Sequence, residues 1–135
     1  MKFMLDTNTC IRYISGRSSA VRDRLQRQRP ADIALCAIVK AELFYGAMKS
    51  VNPGSTLTNQ ERFLNRFVSL AFDDVAARIF GEIRADLAWK GTPIGPYDLQ
   101  IAAIVLANRL TLVTHNTREF SRVDGLNLED WEIDR

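Results

Sequence analysis

Short apolar runs, each ending at a polar residue and followed by a helix-length stretch, leave this chain few folds to choose from. Residues 2–5 form the first run and end at Asp6. Thr7, Asn8 and Thr9 then bring helix-capping chemistry ahead of Ile11, Tyr13 and Ile14. A second helix is expected over 19–28, with Val21 and Leu25 on one face, and Pro30 stops it. Residues 32–36 read as the second strand and lead into a helix over 38–48 that carries Glu42. Asn52, Pro53, Gly54 and Ser55 give the clearest turn signal, with helix resuming over 59–68 and a short strand over 70–72. Asp73 or Asp74 caps a long helix that runs to Lys90, where Gly91 ends it. Pro96 suits the first turn of a helix through Ala107, and 110–114 is the last strand expected. Strands alternating with helices predict a three-layer α/β/α arrangement around a central, mostly parallel sheet.

The 135 residues, of which 47% are hydrophobic, fit a single domain over 1–135 with one core. No apolar run reaches the length of about 18 residues that spans a bilayer, and Asp6 comes too early for a signal peptide, so a cytoplasmic protein is expected. Cys10 and Cys36 lie among apolar neighbours and read as small buried residues rather than a disulfide. The net charge of +2 says little, but its distribution says more. Arg12, Arg17, Arg22, Arg24, Arg27 and Arg29 crowd the first third, while Glu129, Asp130, Glu132 and Asp134 collect at the other end. Such a run is commonly a solvated face; combined with an acidic metal site, it reads as a phosphate-binding surface.

Four carboxylates stand where strands end or helices begin: Asp6, Glu42, Asp98 and Glu119. In a parallel sheet those positions converge on the crevice outside the strands' carboxyl ends. Asp6 alone reads equally as a cap or as a ligand, with Thr7 and Asn8 available to cap in its place. Glu42 sits among Val39, Leu43 and Phe44, where a carboxylate needs a cation or hydrogen bonds. Asp98 opens an almost wholly apolar helix, and the helix end is expected to lower its pKa. Glu119 reads as the most exposed. A cluster of acids suits Mg²⁺ or Mn²⁺, which activate water for attack on a phosphodiester. Zinc fits poorly, since His115 is the only histidine and the cysteines lie in separate elements; His115 is expected at the site edge or against RNA.

MLDTN at the start, the AELFYGA helix, PIGPYDLQIAA and LVTHNTREFSRVDGL, in this order, resemble the PIN-domain ribonucleases across essentially the whole chain, and specifically the VapC toxins of bacterial toxin-antitoxin pairs. The resemblance implies a Mg²⁺- or Mn²⁺-dependent endoribonuclease with Asp6, Glu42, Asp98 and Glu119 as catalytic acids. Asp6 and Asp98 would be the direct metal ligands, and Thr7 and Asn116 would contribute hydrogen bonds to the metal-bound water or the phosphate. Many PIN domains carry a further Asp near the position of Asn116; here Glu119 is the implied substitute. The implied partners are a VapB antitoxin, a second copy of the chain in a homodimer, operator DNA only through the antitoxin, and structured RNA, with the anticodon stem-loop of initiator tRNA as the expected target. A degenerate PIN domain that binds RNA or antitoxin without cutting is the competing reading. An aspartyl-phosphate role for Asp6 is disfavoured, because Asn8 stands where a D-x-D motif needs its second acid.

Overall fold

A computed structural model describes residues 1–133; Asp134 of the acidic tail lies outside them. Five strands, β1 (Phe3–Leu5), β2 (Ile33–Cys36), β3 (Val68–Leu70), β4 (Thr111–Val113) and β5 (Asn127–Glu129), form one sheet in the order β3-β2-β1-β4-β5. Every neighbouring pair is parallel. Between them run helices α1 (Thr7–Ser15), α2 (Ser19–Gln26), α3 (Ala37–Met48), α4 (Pro53–Leu64), α5 (Asp74–Lys90), α6 (Pro96–Ala107) and α7 (Thr117–Phe120). The chain winds outward from β1 to β3, returns across the sheet to β4, and winds outward again. Right-handed crossovers running in opposite directions put their helices on opposite faces, which gives the expected three layers. The reversal falls between β1 and β4, so the crevice of the fold opens at their carboxyl ends.

Burial follows from this layering. All four residues of β2 are buried, as are Met4 and Leu5 of β1 and Leu112 and Val113 of β4, because both faces of the sheet are covered. In α6, Leu99 and the five residues from Ile101 to Val105 are buried, so this helix is enclosed on most of its circumference. Each large apolar side chain buried there contributes about 1.5–3 kcal/mol. Cys10 and Cys36 are buried free thiols, and burial pushes both up from the ordinary thiol range.

Several expected boundaries move. The turn expected at Asn52 to Ser55 is the start of α4. Asn52 Oδ1 accepts from Ser55 N at 3.3 Å and Pro53 takes the first helical position, so capping chemistry there serves a helix six residues earlier than expected. Helix α2 ends at Gln26, and Pro30 opens a short 3-10 turn instead of stopping the helix. The third strand lies at Val68–Leu70 rather than 70–72, and Phe72 packs edge-on against Phe80. Strand β5 was not expected at all: it is a three-residue edge, and its signal is a single Leu between Asn127 and Glu129. Gly91 ends α5 in the left-handed conformation at φ 72°, as its position implied.

Candidate metal-dependent nuclease site

Asp6 leaves the end of β1 at the centre of the sheet, and its backbone N–H continues the ladder to the carbonyl of Val113 at 3.1 Å. Its side chain caps α1: Oδ1 accepts from Thr9 N at 2.9 Å. Thr7 and Asn8 therefore do not take over the capping. The other oxygen, Oδ2, accepts from the Thr114 hydroxyl at 2.6 Å, and the residue is only 5% exposed. A carboxylate offers about four lone-pair positions, so these two bonds orient the group and leave acceptor capacity free. Burial raises its pKa, the Thr114 and Thr9 hydrogen bonds oppose that rise, and the charge of Glu132 adds to it.

Thr114 was missed by sequence reasoning. It is fully buried one residue past β4, and its hydroxyl both donates to Asp6 and accepts from the backbone N–H of Asn116 at 3.0 Å. One side chain thus locks the end of β1 to the loop after β4. The available signal was a lone polar residue closing the apolar run over 110–114.

Glu42 lies in the second turn of α3, half-buried, and Thr7 donates its hydroxyl to Glu42 Oε1 at 2.7 Å. Thr7 thus orients a neighbouring carboxylate, rather than keeping its hydroxyl for a metal-bound water or phosphate as expected. Asn116 does the same on the opposite side, with Nδ2 donating to Glu119 Oε2 at 3.4 Å. Glu119 is half-buried in the first turn of α7, not exposed as expected.

Asp98 reports the convergence. Its carboxyl is pushed up to about 6, first by burial and then by the charges of Glu42, Asp6 and Glu119. The lowering expected from the end of α6 does not prevail. That effect is about 0.3–1 kcal/mol, whereas three neighbouring carboxylates and partial loss of water act the other way. Among the described residues none of these four acids has an arginine or lysine within ion-pair distance. Among the described residues no three of these acids bring ligand oxygens within 4.8 Å of one another, so they ring an open, uncompensated all-oxygen site, whose chemistry fits a hard dication such as Mg²⁺ or Mn²⁺.

The arginine-rich first third is largely engaged with acids. Arg12 meets Glu132 at 3.5 Å, Arg24 meets Glu129 at 3.1 Å, and Arg22 and Arg29 pair with Asp23 and Asp32. The charge-separated ends of the sequence thus neutralise each other in the fold, which weakens the expectation of a continuous phosphate-binding surface. His115, expected at the site edge, is exposed and bonds Asp130 Oδ2 at 2.9 Å. Among the aromatic side chains of α3 and α4 and the residues just after them, Phe63 is buried and Phe44 and Phe67 pack on the core, whereas Tyr45 is exposed at 63%. A groove of 660 Å³ borders Glu42 and is lined by Thr7, Asn8, Ile11, Tyr45, Lys49 and Tyr97 among others. No helix among the described residues is long and apolar enough to cross a membrane.

Residues 3–126 match the model of the PIN domain. The chain is 44% identical over 131 residues to the tRNA(fMet)-specific endonuclease VapC of Salmonella typhimurium, covering 97% of this chain and 98% of that protein. It is 39% identical over 131 residues to Ribonuclease VapC2 of Haemophilus influenzae, with the same coverage of 97% and 98%. Its fold superposes on the crystal structure of DNA-bound VapBC from Salmonella typhimurium with a TM-score of 0.92 at 44% identity, over 97% of this chain and 98% of that one. VapBC2 from Rickettsia felis, bound to a promoter DNA fragment, gives 0.88 at 36% identity over 97% and 99%. With the acids gathered at the β1/β4 reversal and likeness running the length of the chain, this protein belongs to the PIN-domain family and, within it, to the VapC ribonucleases.

Proposed function

We propose that this chain, acting as a single PIN domain, is a metal-dependent endoribonuclease toxin that hydrolyses phosphodiester bonds in structured RNA. The observation that carries the reading is Asp98, a half-buried carboxyl pushed up to about 6 first by burial and then by the charges of Glu42, Asp6 and Glu119, with no arginine or lysine paired to these acids among the described residues. Asp6 and Asp98 would hold Mg²⁺ or Mn²⁺, with Glu42 and Glu119 flanking them. When bound, such an ion activates water and offsets charge on the scissile phosphate. The chain's own residues supply orientation. Thr114 fixes Asp6, Thr7 fixes Glu42, and Asn116 fixes Glu119, so these three acids are each held by a neutral donor that leaves the charge intact.

The groove beside Glu42 offers two exposed aromatic faces, Tyr45 and Tyr97, and the Lys49 ammonium lies 4.4 Å from the Tyr45 ring centre. Unpaired bases flanking the cut would stack there while Lys49 meets the backbone, an arrangement suited to a looped strand rather than a duplex. The relatives named as tRNA(fMet)-specific endonucleases support initiator tRNA as the target, and the proposal places the cut in its anticodon stem-loop. The relatives crystallised as VapBC, two of them with DNA bound, support a VapB antitoxin as the partner; a homodimeric toxin that meets operator DNA only through that antitoxin completes the proposal.

Cleavage of purified initiator tRNA, beside bulk tRNA and unstructured RNA, by antitoxin-free protein in Mg²⁺, Mn²⁺ or EDTA tests the proposal. Metal-dependent cutting of initiator tRNA that is lost in Asp98→Asn is the expected result. Well-folded protein that binds metal yet cuts none of these RNAs would favour the non-catalytic binding role instead.

A further inference from the structure

We propose that His115, Asp130 and Glu132 form a second cation site, selective for a nitrogen-accepting first-row dication of the Zn²⁺ type, which ties the loop after β4 to the C-terminal segment. None of the three is among the four acids assigned above, although the charge of Glu132 reaches Asp6. Their ligand atoms all lie within 4.8 Å of one another.

The orientation of the oxygens carries the argument. Asp130 uses Oδ1 to accept from Glu132 N at 2.9 Å and turns Oδ2 to His115 Nδ1, also at 2.9 Å. Glu132 keeps Oε1 for Arg12 Nε at 3.5 Å and turns Oε2 to the same nitrogen at 3.7 Å. Each carboxylate therefore spends one oxygen on a scaffold contact and offers the other toward the imidazole. Zinc bonds to N and O of about 2.0–2.2 Å set ligand separations of about 2.9 Å at right angles and about 3.4 Å at tetrahedral angles. The His115 to Asp130 separation equals the right-angle value, the His115 to Glu132 separation exceeds the tetrahedral one by a few tenths of an ångström, and the two carboxylates lie within 4.8 Å of each other.

Burial points the same way. The Asp130 side chain is only 7% exposed and, among the described residues, its one cationic partner is an imidazole that carries charge only when protonated. A buried carboxylate with so conditional a partner is under-compensated, and a resident cation would supply the missing charge. The His115 side chain, 61% exposed, leaves a solvent-open side for entry and for a water ligand. One imidazole with two carboxylates favours Zn²⁺ and its neighbours over Mg²⁺, which prefers oxygen and keeps its waters.

The chain's single histidine makes the test direct. Zn²⁺ is titrated into the full-length protein in saturating Mg²⁺, following heat and the ¹⁵N signals of the imidazole. One equivalent of Mg²⁺-resistant Zn²⁺ that shifts the Nδ1 resonance is expected. His115→Asn and Glu132→Gln should each weaken it about tenfold or more, on the scale by which even outer-shell partners affect metal affinity. Asp98→Asn should retain it, which separates this site from the nuclease reading. Absence of Mg²⁺-resistant binding, or Zn²⁺ that binds without moving the imidazole signal, overturns the proposal. The latter readout needs only the unmodified protein and so survives any variant that fails to fold.

Discussion

Replacing Asp98 by Asn should destroy cleavage and yet make the metal-free protein more stable. The carboxyl is raised from 3.8 to about 6, so near neutral pH its ionised form is disfavoured by folding. That difference corresponds to about 3 kcal/mol at full effect. Solvent reaching the half-buried group screens it to about 1–2 kcal/mol. Because the folded pKa lies above the unfolded one, the wild-type contribution is fully present below about pH 4 and is lost as pH rises toward 6, and the deficit is constant above that. The stability gap between the Asp98→Asn variant and its parent should therefore open between about pH 4 and 6 and stay open. Thermal melts in EDTA at pH 7.5 should show the variant higher by about 3–8 °C, the shift expected for a chain of this length. Mg²⁺ at about 100 times its Kd adds about 2.7 kcal/mol to whichever protein binds it. The parent should accordingly overtake the variant in Mg²⁺. A variant that is no more stable than the parent in EDTA, or a gap that does not change between pH 4 and 7, would refute the electrostatic account of this cluster.

Four further outcomes follow from the same contacts. Thr114→Val leaves Asp6 buried without its 2.6 Å donor, which should cost about 1–3 kcal/mol of stability and reduce Mg²⁺ affinity, read by denaturant melts and calorimetry. Thr7→Val should lower kcat for RNA cleavage with little change in KM, and Thr7→Ser, which keeps the hydroxyl for Glu42, should restore most of it. Tyr97→Ala, removing an exposed ring in the groove, should raise KM for tRNA by about tenfold, the stacking scale for one base, with unstructured dinucleotide turnover less affected. Ile104→Ala, in the fully enclosed stretch of α6, should destabilise by about 2–5 kcal/mol in denaturant unfolding while preserving the metal affinity of whatever protein remains folded.

What could be read from the residues alone depended on how local the cause was. The placement of Asp6 and Asp98 needs only a strand ending before a helix and a proline at a helix start, and both signals are contiguous in sequence. Thr114 could not be assigned in that way, because its role exists only when β4 lies beside β1, a neighbour relation between segments more than a hundred residues apart. The same holds for the two ends of the chain: the arginines of α1 and α2 and the acids at and after β5 read as separate patches until the fold sets Arg12 on Glu132 and Arg24 on Glu129. Helix α4 was misplaced for the opposite reason. Asn52, Pro53 and Gly54 are locally informative, but a turn and a capped helix start use the same chemistry, and only the continuation of the helix tells them apart.

Asp98 combines both situations. Position in the first turn of α6 is local and argues for an ionised, low-pKa carboxylate, whereas the shift up to about 6 comes from burial in the fold and then from neighbours that arrive from α3, from the end of β1 and from α7. The reversal between β1 and β4 gathers the acids and also removes their water. A topology that concentrates carboxylates in this way makes their ionisation costlier by the same act, so in a fold of this kind the helix-end rule gives the wrong sign wherever the acids are close enough together to share a cation.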